Sequence, residues 1–387
     1  MTTFAQRIDK VDEYYFSKKL EQIAEMRTRG LNVINLGIGS PDMPPPHQAL
    51  EAAKLMLSDE RAHGYATYRS SPELRLAISK WYQETYQVQL DANTEVLPLL
   101  GSKEGIFYFS MAMLNPGDQV LCPNPGYLAY SAAAKLAGAD VVYYELDEKN
   151  NWLIDLELLK TRDLSKCKLM WVNYPHMPTG ASCDLEFFKK LVDFAKSKNI
   201  VICNDNPYSL VLNDTPPLSL LSVDPKRENV VELNSLSKSF NMPGWRVGML
   251  LASKKNIDAT LKVKSNVDSG MFMPLQKGAI AALSVSNDWH LERNRLYRAR
   301  REIVFKIFER LSFQFHKNQV GLFVWAKAPD FVQDVQIYCD ELLEKCHVFI
   351  TPGFIFGSQG RRYARASLCA SEEVLLEALK RVERFVR

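Results

Sequence analysis

Val230-Val231-Glu232-Leu233-Asn234-Ser235-Leu236-Ser237-Lys238-Ser239-Phe240-Asn241-Met242-Pro243-Gly244-Trp245-Arg246-Val247-Gly248 is the stretch around which this chain is organised. Its apolar start, Val230 to Leu233, reads as a buried strand. Two hydroxyls, Ser235 and Ser237, then precede Lys238, and Arg246 follows eight residues after the lysine. A lysine attacks carbonyls as the neutral amine, a form that burial or a neighbouring cation favours by lowering its pKa. Arg246 is the candidate cation, and Ser235, Ser237 and Arg246 offer donors to a phosphate. A carbonyl cofactor that bears a phosphate meets both demands, and pyridoxal 5'-phosphate is the obvious one. The same string also suits an ordinary strand-to-helix turn with a solvated lysine, so the decision falls to the rest of the chain.

Ser235-Leu236-Ser237-Lys238 followed by N-M-P-G-W-R-V-G (241–248) resembles the cofactor-lysine segment of class I aminotransferases in the fold type I pyridoxal phosphate superfamily. The motifs below are similar in particular to those of the LL-diaminopimelate/alanine aminotransferase-like group. The resemblance implies an α/β fold in which a large domain, near 46–285, carries a seven-stranded, mainly parallel sheet. It implies a smaller α/β domain at 286–387 that packs with the N-terminal segment 1–45.

Bulk composition agrees with a globular enzyme. The chain has 387 residues, 47% hydrophobic and 24% charged. Lys and Arg number 48 against 45 Asp and Glu, a net +3 that gives no reason to expect nucleic acid or an anionic membrane as partner. Seven scattered cysteines without a C-x-x-C pair suit reduced thiols, and six histidines without H-x-x-x-H spacing argue against zinc. Neither a signal peptide nor an apolar run of about 18 residues is present, so a cytoplasmic location is expected.

Apolar strands that end in polar turns recur along the chain, with helices between them. That alternation implies a parallel sheet with functional loops at the carboxyl ends of its strands. The strand from Val33 leads into Gly39, which the resemblance places beside the substrate carboxylate. Gly64-Tyr65-Ala66-Thr67-Tyr68-Arg69-Ser70 resembles the family loop whose tyrosine, here Tyr65, reaches a phosphate across a homodimer interface. The family has glycine where Ser70 stands, so a different loop path is expected. Gly101-Ser102-Lys103 opens a helix whose free N–H groups and positive dipole end suit an anion, although Ser102 can equally be a plain N-cap. Tyr127, in the turn after a strand ending at Cys122, matches the residue that stacks on the pyridine ring.

Asp205 and Tyr208 form a second pillar, with Lys238 33 residues beyond Asp205. A pyridinium N–H needs a buried carboxylate to remain protonated, and a tyrosine three residues later can donate to the ring's phenolic oxygen. One departure concerns Asn173-Tyr174-Pro175-His176-Met177-Pro178-Thr179-Gly180. The family has asparagine at 177, bonded to that oxygen, whereas methionine cannot donate. Asn266 matches a residue of the substrate-side loop that projects into the neighbouring subunit, and Tyr14 is a further substrate-side candidate. The charged helix near 288–311 is expected to bury Leu291, Leu296, Val304, Ile307 and Phe308 and to solvate its arginines. Arg365 lies in a short strand, an expensive place for a cation, and matches the arginine that grips the substrate α-carboxylate in a bidentate pair.

The activity implied is transamination between an L-amino acid and a 2-oxo acid, with glutamate/2-oxoglutarate as a first couple. Lys238 would bond the cofactor and serve as acid and base. Elimination at C–S bonds on the same scaffold stays open, as does a cofactor-binding protein of weak activity on account of Met177.

Overall fold

A computed structural model of the chain describes residues 4–11 and 15–385. Its centre is a seven-stranded sheet: β1 (Val96–Leu99), β2 (Gln119–Asn124), β3 (Asp140–Glu145), β4 (Cys167–Val172), β5 (Val201–Asp205), β6 (Val230–Ser235) and β7 (Gly248–Ala252). The strand order is β1-β7-β6-β5-β4-β2-β3, and β7 alone runs against its neighbours β1 and β6. β1, β6 and β7 are buried along their whole length, covered on both faces, whereas the edge strand β3 is largely exposed. Met170 and Val172 of β4 enter one core, and Leu169 and Trp171 enter the other, as period-two geometry requires. Met249 and Leu251 of β7 divide from Leu250 and Ala252 in the same way.

The helices that position the site are α1 (Tyr15–Thr28), α2 (Ser102–Met113), α3 (Leu128–Leu136), the one-turn α4 (Leu236–Ser239) and the long α5 (Asn287–Arg310). None is long and apolar enough to cross a membrane among the described residues. Beyond α5 a three-stranded antiparallel sheet forms from β8 (Phe323–Lys327), β9 (Thr351–Pro352) and β10 (Tyr363–Ser367), in the order β9-β10-β8. A short parallel pair, Ile34–Asn35 with Val348–Phe349, ties the N-terminal segment to that region.

Ser70 takes φ 58°, the left-handed conformation that favours glycine, with its side chain buried. One expectation needs correction. On α5, Leu291 is 53% exposed, whereas Arg293, Asn294, Tyr297 and Arg300 are buried. Two arginines therefore face inward. They can do so because backbone carbonyls accept from Nη1 and Nη2 of Arg293, and the Asp42 carboxylate accepts from both Nη groups of Arg300.

Candidate active site

A cavity of about 430 Å³ opens at the carboxyl ends of the parallel strands. It is lined by Gly39, Ser102, Lys103, Tyr127, Asp205, Tyr208, Ser235, Ser237, Lys238, Arg246 and Arg365 from the sequence reading. Tyr65, 94% exposed, and Asn266, exposed with its amide donating to the Lys262 carbonyl at 2.8 Å, stand apart from it in the single chain. Tyr14 lies outside the described residues.

Lys238 sits in α4, directly after β6. Its Nζ donates to the Gly39 carbonyl. Loss of solvent is the main reason its pKa falls below that of an ordinary lysine, and the nearby guanidiniums of Arg365 and Arg246 push the same way. Burial therefore outweighs the cation that the sequence suggested.

An anion cradle lies on one side of this amine. Gly101, at φ 89°, turns the chain into α2, and a Cβ there would collide with the Arg246 guanidinium. Only glycine permits that approach. Ser235 Oγ donates to Ser237 Oγ at 2.9 Å and accepts from Ser237 N–H at 3.1 Å, which fixes both hydroxyls at the start of α4. The Lys103 amine is pushed down, first by loss of solvent and then by Arg246. Cations gathered to the point of mutual repulsion suit an anionic ligand.

Asp205 closes the opposite end, at the tip of β5. Burial pushes its carboxyl up to about 7, and the Tyr130 hydroxyl, donating to Oδ2 at 2.9 Å, partly offsets that. Asp205 Oδ1 is buried without a hydrogen-bond partner among the described residues. An acceptor left unmet in a cavity is costly unless a ligand N–H supplies the bond. Tyr127 caps the start of α3 edge-on to Tyr130, and Tyr130 stacks on Trp171 with ring centroids 5.1 Å apart.

The third wall carries Arg365, 5% exposed. Its guanidinium carbon lies 3.8 Å from the Phe323 ring centroid and 4.6 Å from that of Phe356. Nη2 donates to the Gly37 carbonyl at 2.8 Å, and Nη1 faces the Met177 sulfur at 3.2 Å. A Cβ on Gly39 would overlap the Phe323 ring, so glycine at 39 lets that ring reach the arginine.

Several contributors were missed in the sequence. Tyr130 follows Tyr127 at helical spacing of three, a signal that could have been read. Asn173 bonds the Asp205 carbonyl through its amide and accepts from Met177 N–H at 2.7 Å, joining two loops. Phe16, Phe323 and Phe356 come from distant segments, and nothing local marks them.

The residues fit pyridoxal phosphate: an unmet buried acceptor for a ring N–H, a lysine with depressed pKa for the aldehyde, and a cation-lined cradle for the phosphate. Comparison with known proteins agrees. An LL-diaminopimelate aminotransferase of Aquifex aeolicus is 38% identical over 384 residues, 99% of this chain and 99% of that protein. One from Dehalococcoides mccartyi is 38% identical over 382 residues, 98% of each. Among solved structures, substrate-bound BacF from Bacillus subtilis superimposes with a TM-score of 0.94 at 34% identity, covering 100% of this chain and 98% of that one. A mutant aspartate aminotransferase of Thermus thermophilus gives 0.92 at 25% identity over 99% and 100%. With residues 32–382 matching the family described as aminotransferase class I and II, the chain belongs to that family.

Proposed function

We propose that this pyridoxal phosphate-dependent aminotransferase uses glutamate/2-oxoglutarate as one of its couples, with Lys238 as the catalytic lysine. The observation that carries the assignment is the meeting of Lys238, Asp205 and Arg365 in the lining of one cavity. When bound, the cofactor supplies an electron sink that acidifies the substrate Cα–H. Arg365 grips the α-carboxylate and fixes the direction of that C–H bond. The Lys238 amine, whose pKa burial lowers, takes the Cα proton and returns one to Cα in the second half of the exchange. Asp205 keeps the ring nitrogen protonated, Tyr127 offers an aromatic face and Tyr208 donates to the phenolic oxygen. Ser102, Lys103, Ser235, Ser237 and Arg246 hold the phosphate.

Residues 46–285 would form the cofactor-binding domain, with 1–45 and 286–387 as the smaller unit. Tyr65 and Asn266 serve the site of a second copy in a cytoplasmic homodimer, a role supported by their exposure away from their own cavity. The names of its relatives make LL-diaminopimelate a substrate to assay beside glutamate. Lys238→Ala should lose the visible absorbance of the bound cofactor, and a persistent band would refute the assignment of the lysine. Glutamate should convert the wild-type band in a half-reaction. Pyruvate and ammonia appearing without an oxo-acid acceptor would favour C–S elimination. The thioether at 177, which cannot donate to the ring oxygen, supports the second reading of a cofactor binder with weak catalysis.

A further inference from the structure

Arg293 is a buried cation that the reaction above does not use. It is 3% exposed, and no carboxylate lies within ion-pair distance of it among the described residues. Loss of solvent draws its pKa down to about 10, the cost of holding a charge away from water. What it touches is specific. Nη1 donates to the carbonyl of Ser239, the residue after Lys238, and Nη2 donates to the carbonyl of Leu210, two residues after Tyr208. Ser239 Oγ adds a third strut to the Pro207 carbonyl at 3.0 Å. The Trp289 ring lies 5.4 Å from the guanidinium carbon, and Asn294 Oδ1 accepts from Nη2 at 3.1 Å, so the fork itself is fixed.

The mechanical need is clear. α4 has four residues, and one turn of helix is unstable by itself, with carbonyls at its end that require donors. The turn that follows Asp205 and bears Tyr208 is a separate loop after β5. Arg293 joins the two from a third element, α5.

We propose that Arg293 is a positioning residue that caps the Lys238 turn and ties it to the Pro207–Leu210 turn, setting the lysine amine against the Tyr208 and Asp205 side of the site. The inference rests on the functional reading of Lys238 given above. A guanidinium reaches two carbonyls at once, whereas an ammonium on a flexible stem cannot reproduce that fork.

The test uses the holoenzyme. In Arg293→Lys, kcat should fall about tenfold with KM changed less than about threefold, because misplacement costs rate more than binding. The visible circular dichroism of the bound cofactor, which reports its seating, should fall in parallel. Arg293→Met should show larger losses of both where it folds. Wild-type kcat and dichroism in Arg293→Lys, with a lowered melting temperature alone, would overturn the brace as a positioning device. Lys238→Ala separates the two levels. Absorbance lost there with an unaffected Arg293→Lys refutes the brace alone, whereas absorbance kept in Lys238→Ala overturns the reading beneath it as well.

Discussion

Arg365 presents Nη1 to the sulfur of Met177 at 3.2 Å. The Phe323 and Phe356 rings lie close to its guanidinium carbon and the Gly37 carbonyl accepts from Nη2, so neutral groups share in orienting it. A thioether is a weak acceptor, so it steadies the arginine without neutralising it and yields readily to an incoming carboxylate. Methionine at 177 thus has a local role in this chain, at the expense of a donor to the cofactor's phenolic oxygen.

Met177→Asn should restore that donor. A hydrogen bond to a charged group contributes about 1.5–3 kcal/mol, so cofactor dissociation should become at least about tenfold weaker. Titration of the cofactor-free protein, followed by visible absorbance, measures this. An unchanged dissociation constant would mean that the side chain at 177 does not reach the ring oxygen.

Arg365→Lys keeps the charge and loses both the planar fork and the close guanidinium contacts with the Phe323 and Phe356 rings. We expect kcat/KM for the amino acid to fall about a hundredfold while cofactor affinity is unchanged. Steady-state kinetics beside a cofactor titration would expose any loss shared by both, which would point to general damage instead.

Gly101→Ala attacks the opposite end of the cavity. Alanine is strained at φ 89°, and its Cβ would displace the Arg246 guanidinium. Cofactor affinity should fall about tenfold or more, since backbone strain and a lost phosphate contact add. The rate at saturating cofactor should be close to wild type, and a rate defect that saturation does not repair would contradict a cradle role for Gly101.

The fold was legible because strands buried on both faces, such as 168–172 and 230–233, announce themselves as apolar runs, and glycine turns mark where the chain leaves the sheet. Lys238, Asp205 and Arg365 were legible because each stands in a local string whose chemistry is unusual for its setting. The orientation of Arg365 was not, since Phe16, Phe323 and Phe356 converge on it from far apart in sequence. The burial of Arg293 and Arg300 was misread for a related reason. Charge predicts solvent unless a partner is known, and the partners here, the carbonyls of Ser239 and Leu210 and the carboxylate of Asp42, carry no local signal.

Asp205 makes the last prediction one of stability against pH. Its carboxyl is raised from 3.8 to about 7, chiefly by burial, so between those values the folded protein binds a proton that the unfolded chain has released. Stability contributed by that proton is fully present below about pH 4 and is lost as pH rises through about 7, by an amount on the order of 4 kcal/mol. Asp205→Asn cannot titrate. In cofactor-free protein, its stability relative to wild type should therefore increase between pH 5 and pH 7.5 in urea unfolding. Tyr130→Phe removes the donor that holds the carboxyl down and should steepen the wild-type decline. With cofactor bound, a ring N–H opposite Oδ1 satisfies the ionised form, so the decline should shrink in the holoenzyme. Parallel pH profiles for wild type and Asp205→Asn without cofactor would show that Asp205 ionises normally in the folded chain, and the case for a buried acid waiting on a ring nitrogen would fail.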